Sequence, residues 1–174
     1  MLSYKESMIE DNTKGIAYLF KKNKITLING WANFVDNNTI SVDGKNFEAD
    51  YFVIASGSEA SSLSNVKFDE KVIVSSTGAL ELKKIPEKMI IVGAGVIGLE
   101  MGSIYSRLGT EVTVIEFYDK VLNGMDHDIS KNFKTILKKQ GFKFHLSCSV
   151  STITKEKKGV KVTYEQTDSS NHNE

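Results

Sequence analysis

A single cysteine, a single proline and a single tryptophan occur in 174 residues. The lone Cys148 cannot form a disulfide within the chain, which excludes both a disulfide scaffold and an internal redox pair and fits a reducing, cytoplasmic setting. Charge of one sign is lacking too. Twenty-two basic residues balance twenty-two acidic ones, so no net field draws the chain to nucleic acid or to an anionic membrane. Apolar runs such as Met89–Val92 are far too short to span a bilayer, and the opening Met1–Glu6 has no signal-like apolar stretch; no membrane association is expected. His127, His145 and His172 have no metal-ligand spacing to one another or to the cysteine, and no Ser-His-Asp arrangement can be argued, so neither a metal nor a catalytic residue is assigned. With 40% hydrophobic and 25% charged residues, the composition is that of a soluble α/β protein of one ordinary or two small domains.

Along the chain, Met8, Ile16, Leu19 and Phe20 mark one face of a helix ending at Lys21-Lys22, with Gly15 as a weak point. A strand is expected at Lys24–Asn29. An antiparallel meander follows over Ala32–Val35, Thr39–Val42 and Asn46–Ala49, broken at Asp36–Asn38 and Asp43-Gly44, and it ends in a buried strand, Tyr51–Ala55. Ser58–Asn65 reads as a loop, Lys71–Val74 as a short strand and Ser75–Leu82 as a helical turn. Pro86 opens a more regular unit. Its elements are a strand at Met89–Val92 covered on both faces, a helix from about Val96 to Leu108 closed by Gly109, and a strand at Glu111–Glu116. Next come a helix capped by Asp126 or Asp128 with Ile129, Phe133, Ile136 and Leu137 on its apolar face, and an alternating strand at Phe142–Val150. A hairpin turns at Lys157–Gly159, and a polar, frayed tail runs from Glu165, with His172 in it.

The chemistry concentrates in Gly93-Ala94-Gly95-Val96-Ile97-Gly98. A lone G-x-G-x-x-G is weak, but here a buried strand precedes it, a helix opens on it, and a second strand ends in Glu116 about twenty residues later, the layout of a dinucleotide-binding βαβ unit. Gly93 makes the tight turn, Gly95 lets the backbone approach a pyrophosphate, and Gly98 brings helix and sheet together. The helix N-terminus offers unpaired N–H groups to phosphate. Glu116 would accept the ribose hydroxyls and repel a 2′-phosphate, and no arginine follows it in Phe117-Tyr118-Asp119, so NAD is expected over NADP. Glu100 reads either as a first-turn acid stabilised by the helix dipole or as a contact at the nicotinamide end. The bland alternative is a glycine-rich turn that binds no dinucleotide. Cys148 reads as a small buried hydrophobe, and the lysine pairs at 21–22, 138–139 and 157–158 as solvated faces and turns.

Thr13–Lys24, Val53–Glu59, Ser75–Leu80, Pro86–Glu100 and Ile129–Phe144 together resemble the central part of the dihydrolipoamide dehydrogenases, within the FAD- and NAD-linked disulfide oxidoreductases. The resemblance implies a Rossmann-type NAD domain over 84–174 and part of an FAD domain, with β-meander and linker, over 1–83. It implies NAD contacts at Gly93–Glu100, Glu116 and Val150, and an FAD-side position for Ala32 and Ser56-Gly57-Ser58. Such enzymes usually have threonine where Ser56 stands and often glycine where Ala32 stands. They oxidise dihydrolipoamide through a cysteine pair and FAD, with NAD as acceptor, and work as homodimers in 2-oxoacid dehydrogenase complexes.

The pattern departs in four places. The family's first G-x-G-x-x-G, its C-x-x-x-x-C, its His-Glu pair and the last strand of the NAD domain have no counterpart here. The expectation is therefore an internal piece that binds NAD, carries no FAD of its own and is catalytically inactive alone. Its apolar strand Met89–Val92, left as a sheet edge, is expected to promote self-association. The competing readings are a non-enzymatic remnant without ligand affinity, and a piece of a related flavin-linked reductase acting on another disulfide or on oxygen.

Overall fold

The computed structural model describes residues 1–64 and 66–167. They fall into two compact units, Met1–Glu59 and Ala60–Glu174. The first begins with helix α1, Leu2–Lys22, whose last turn carries Lys21 and Lys22 against the negative end of the helix dipole. The helix runs through Gly15 unbroken, since one glycine costs only about 1 kcal/mol in a helix interior. None of its residues is buried. A three-stranded antiparallel sheet follows, β1 Ala32–Phe34, β2 Thr39–Val42 and β3 Lys45–Glu48 in that order. The β2–β3 turn is the pair Asp43-Gly44, both at positive φ (49° and 79°), as a two-residue hairpin with right-handed strand twist requires.

Two expected strands do not form in this unit. Lys24–Asn29 and Tyr51–Ala55 have no ladder partner among the described residues. The second is not buried either: Tyr51 and Val53 are 91% and 92% exposed. Apolar, β-branched residues favour a strand only when another backbone lies alongside to take their N–H and C=O groups. Phe52 does anchor, its ring meeting that of Phe34 edge-on at 5.1 Å.

In the second unit, Ser75 caps the short helix α2, Ser76–Ala79, its hydroxyl accepting from the N–H groups of Thr77 and Gly78. The strand expected at Lys71–Val74 is a loop. The Asp69 carboxylate takes the N–H groups of Lys71, Val72 and Ile73 at 2.8–2.9 Å, removing the donors that a ladder would need. Lys155, 2.5 Å away, and those amides hold this carboxyl well below the usual carboxylate range.

Then comes the parallel sheet. Strand β4 (Lys88–Val92), helix α3 (Val96–Arg107), strand β5 (Glu111–Ile115), helix α4 (His127–Lys139) and strand β6 (Lys143–His145) follow in sequence. The strand order is β4-β5-β6, all parallel. The central strand β5 is the one buried on both faces, through Val112, Val114 and Ile115. Strand β4 lies at the edge of the sheet among the described residues, as expected, but it is not covered on both faces: it is half-exposed, with Ile90 and Val92 open to solvent.

The core gathers Leu99 from α3, Val112 and Val114 from β5, Val121 from the following loop, Leu137 from α4 and Phe142. Helix α3 sits close to the sheet because Gly98 and Gly102 have no side chains; a Cβ at Gly102 would come within 2.9 Å of Ile91 and Phe142. Asp126 caps α4, accepting from the N–H groups of Asp128 and Ile129. The buried face of α4 is Ser130, Phe133 and Leu137, whereas Ile129 and Ile136, expected with Phe133 and Leu137, are more than half exposed.

The expected strand Phe142–Val150 is divided. Its first part is β6. At Ser147 the backbone turns through φ 53°, and the chain re-emerges as β7, Cys148–Glu156, in a separate antiparallel hairpin with β8, Gly159–Gln166. Phe142 and Cys148 are buried on either side of the break, but the expected alternation is lost between them, where Phe144, His145, Leu146 and Ser147 are all partly buried. Glu165 and Gln166, expected in a frayed tail, pair in β8 with Ser149 and Cys148. His172 lies outside the described residues.

Candidate functional site

The carboxyl end of the parallel sheet brings Gly93–Gly98 and Glu116 together. Gly93 follows β4 at φ 98°, a conformation that side chains with a Cβ resist, and its N–H donates to the Ile115 carbonyl at 2.8 Å. The chain then reverses into α3 with Gly95 as N-cap. Gly95 has no side chain to cap the helix, and the first turn contains no acid. This differs from α2 and α4, whose N-termini Ser75 and Asp126 close. The first N–H groups of α3 therefore face outward with the positive end of the helix dipole behind them. Open space lies over Gly95, where an added Cβ would meet nothing within 4 Å.

Glu116 is 8% exposed and turns back onto this loop. Its Oε2 accepts from the N–H of Ala94, a residue only 1% exposed. Its Oε1 accepts from the N–H of Tyr118 at 2.9 Å. A buried carboxylate is tolerated where such donors meet it, and with about four lone-pair positions it can accept further hydrogen bonds beyond these two. The backbone of Glu116 is tied down as well: its N–H donates to His145 and its carbonyl accepts from Cys148, both at 2.8 Å.

Other residues singled out from the sequence fall at varying removes. Val96 and Ile97 are exposed at the first turn of α3. Glu100 is exposed and is the fifth helical residue, past the first turn, so the reading of it as a first-turn acid is corrected. Val150 is half-buried in β7 at the point where the ladder with β8 slips, two residues beyond the Cys148 amide that bonds Glu116. Ala32 in β1 and Ser56-Gly57-Ser58 belong to the first unit, and all four are exposed, with Gly57 at φ 74°. Among the described residues no group of three or more His, Cys, Asp or Glu could hold a metal ion, and no helix is long and apolar enough to cross a membrane.

Two contributors escape a reading of residue types because they act through backbone. The Tyr118 amide is one. The other is Leu122, at φ 52°, whose N–H donates to the Ala94 carbonyl at 2.9 Å and closes the loop after β5 over the turn. Their only signal is position, a short span after the second strand. Replacing Glu116 with alanine strands the buried Ala94 N–H, which costs about 1–3 kcal/mol. Urea denaturation should show a loss of that order for Glu116→Ala and a smaller one for Glu116→Gln, which retains an acceptor; equal stability of wild type and Glu116→Ala would refute the tie.

Known proteins are similar to this chain in sequence and in fold. The family model described as pyridine nucleotide-disulphide oxidoreductase matches residues 4–172. The mitochondrial dihydrolipoyl dehydrogenase of Dictyostelium discoideum is 47% identical over 172 residues, covering 95% of this chain and 35% of its own length. Among solved structures, LpdA from Mycobacterium tuberculosis superposes with a TM-score of 0.84 at 24% identity, over 94% of this chain and 38% of that one, a likeness of fold. The HOCl-induced flavoprotein disulfide reductase RclA from Escherichia coli gives a TM-score of 0.66 at 29% identity, over 90% and 38%. The chain thus spans about a third of the length of the curated relatives it matches. A G-x-G-x-x-G turn on a parallel sheet, a buried acid on the neighbouring strand, and a family match over almost every residue agree: the chain belongs to the pyridine nucleotide-disulphide oxidoreductase family.

Proposed function

We propose that this chain is the NAD-binding central part of a dihydrolipoamide dehydrogenase. The observation that carries the reading is the uncapped N-terminus of α3, open above Gly95 and flanked by the buried carboxylate of Glu116. The residues fit the cofactor. Gly93–Gly98 would receive the pyrophosphate on outward N–H groups, and the free lone pairs of Glu116 would accept ribose hydroxyls. Glu100 and Val150 would contact the rest of the molecule. The negative charge of Glu116, with no arginine in Phe117-Tyr118-Asp119, disfavours a 2′-phosphate. Bound NAD would supply the hydride acceptor for the parent enzyme's oxidation of dihydrolipoamide. This chain's residues bind and orient it. With one cysteine in the sequence, a dithiol relay is not available within the chain, and alone it is proposed to be inactive.

The parent is proposed to be an FAD-containing homodimer serving a 2-oxoacid dehydrogenase complex, on the strength of the sequence likeness. Residues 1–83 would be its partial FAD domain and linker, and 84–174 its NAD domain. The lone cysteine suits any reducing compartment, and the mitochondrial name of the Dictyostelium relative favours that organelle over the cytoplasm expected from sequence. The likeness to RclA keeps a related flavin disulfide reductase as the second reading. It predicts the same NAD turn and differs in what the parent acts on, another disulfide or oxygen in place of dihydrolipoamide.

Ala32, Ser56, Gly57 and Ser58 are exposed, and FAD is proposed to belong to the full-length parent alone. Purified chain should be colourless, and a flavin absorbance band surviving gel filtration would refute this. The open edge of β4, with Ile90 and Val92 about 40% exposed, supports self-association by strand pairing. Light scattering should show mass rising with concentration, and a constant monomer mass would count against it. Calorimetric titration should show NADH binding at least tenfold tighter than NADPH. Because a Cβ at Gly95 meets nothing within 4 Å and its φ of −75° suits alanine, Gly95→Ala should fold normally yet bind NADH at least tenfold more weakly. Unchanged NADH affinity in that variant, or no binding by wild type, overturns the proposal.

A further inference from the structure

The sequence holds two Asn-Gly steps, Asn29-Gly30 and Asn123-Gly124. Such a step is chemically labile, because glycine has no side chain to shield its amide nitrogen from the asparagine carboxamide one residue back. The two differ in their surroundings. Gly30 is crowded: a Cβ there would meet the Val42 side chain at 2.5 Å and the Asp43 carboxylate at 2.7 Å. That carboxylate also opposes loss of the Gly30 amide proton, since it stands beside the negative charge that would form. Gly124 lies in the loop after β5 at φ 94°, with nothing within 4 Å of an added Cβ. Asn123 and Gly124 are exposed. Among the described residues neither the Asn123 carboxamide nor the Gly124 N–H takes part in a hydrogen bond.

This turn is joined to the glycine turn of the candidate site. The Met125 N–H donates to the Leu122 carbonyl at 2.9 Å, closing Leu122–Met125 into a reverse turn. Leu122 itself holds φ 52°, which a side chain with a Cβ resists, and its N–H donates to the Ala94 carbonyl at 2.9 Å. A residue in such a backbone conformation stays there only while its surroundings hold it. A change that lengthens the Leu122–Met125 turn therefore acts on the bond to Ala94.

We propose that Asn123 is a site of spontaneous deamidation, and that its product releases the loop after β5 from the glycine turn. The Gly124 amide nitrogen, once deprotonated, attacks Cγ of Asn123. The N–Cγ bond forms, the Cγ–Nδ2 bond breaks, and the side-chain nitrogen leaves as ammonia. Closing the ring requires the peptide between the two residues to rotate, and the open space around Gly124 leaves room for it. Water then opens the succinimide at either carbonyl, giving aspartate or isoaspartate. One water enters and one ammonia leaves, with no change of oxidation state. Isoaspartate routes the main chain through the former side chain, adding one methylene to the turn. Either product adds a negative charge one residue from the bond to Ala94, where, on the function proposed above, a pyrophosphate would bind nearby.

Mass-spectrometric peptide mapping of the full chain, followed through incubation in warm, mildly alkaline buffer, tests the chemistry. The amide-to-acid mass gain should appear at Asn123 at least tenfold faster than at Asn29, with isoaspartate among the products, and faster still as pH rises. Hydrogen exchange at the Leu122 amide tests the consequence, and should be at least tenfold faster in the converted chain. Asn123→Gln, whose longer side chain cyclises far more slowly, should keep its mass and its Leu122 protection through the same incubation. Conversion at Asn123 that is absent or no faster than at Asn29 would overturn the proposal. So would conversion that leaves Leu122 exchange unchanged. Neither readout uses a nucleotide, so failure here is distinguishable from failure of the NAD reading. Where both hold, the converted chain binds NADH at least tenfold more weakly than fresh chain.

Discussion

The carboxylate of Glu116 reaches across from the end of β5 to the amide of Ala94, the residue after the first glycine of the turn. That contact joins two chain reversals that share no other covalent route than twenty-two residues of helix and strand. A peptide N–H in a residue as enclosed as Ala94 must find an acceptor, and a carboxylate inside a protein must find donors. Each solves the other's problem. The backbone bond from Gly93 to Ile115 sets the height of the turn, and the carboxylate sets its orientation. The outward presentation of the first amides of α3 then follows, because the loop that feeds the helix is held at both strands.

Around this tie the second unit is layered outward. The amide of Leu122 closes the loop after β5 onto the Ala94 carbonyl, and the amide of Cys148 brings the β7–β8 hairpin to the Glu116 carbonyl. Both use left-handed or near-left-handed backbone nearby, at Leu122 and Ser147. Gly98 and Gly102 allow α3 to lie directly on Ile91 and Phe142. A rigid, closely packed frame behind an exposed helix N-terminus favours ligand binding, since little conformational entropy remains to be lost there.

Much of this frame was legible from residue order. The β4–α3–β5 unit, an aspartate cap at Asp126 or Asp128 that the structure resolves to Asp126, Gly109 beyond its helix, and the hairpin at 157–159 are all signalled locally, and the structure has them. The failures share a cause. Lys24–Asn29, Tyr51–Ala55 and Lys71–Val74 have strand composition, but a strand is made by its neighbour, and sequence does not reveal which backbones lie alongside. For Lys71–Val74 the competitor is local and was overlooked: Asp69 can take three successive amides. The division at Ser147 was hidden because the apolar residues Phe142, Phe144, Leu146 and Cys148 recur at every second position of the sequence across it. At the candidate site the glycines and Glu116 were legible as residue types, whereas the carboxylate's bonds to backbone carry no side-chain signature.

The central claim is that the Gly93–Gly98 turn and Glu116 form one NAD site. Its most direct test is an NADH titration followed by amide chemical shifts in ¹⁵N-labelled chain. Saturable shifts at Gly93, Ala94, Gly95, Ile97 and Gly98, with Glu116 and Tyr118 moving in parallel along the same isotherm, are predicted. Saturable shifts confined to other residues, or none at millimolar NADH, would contradict it.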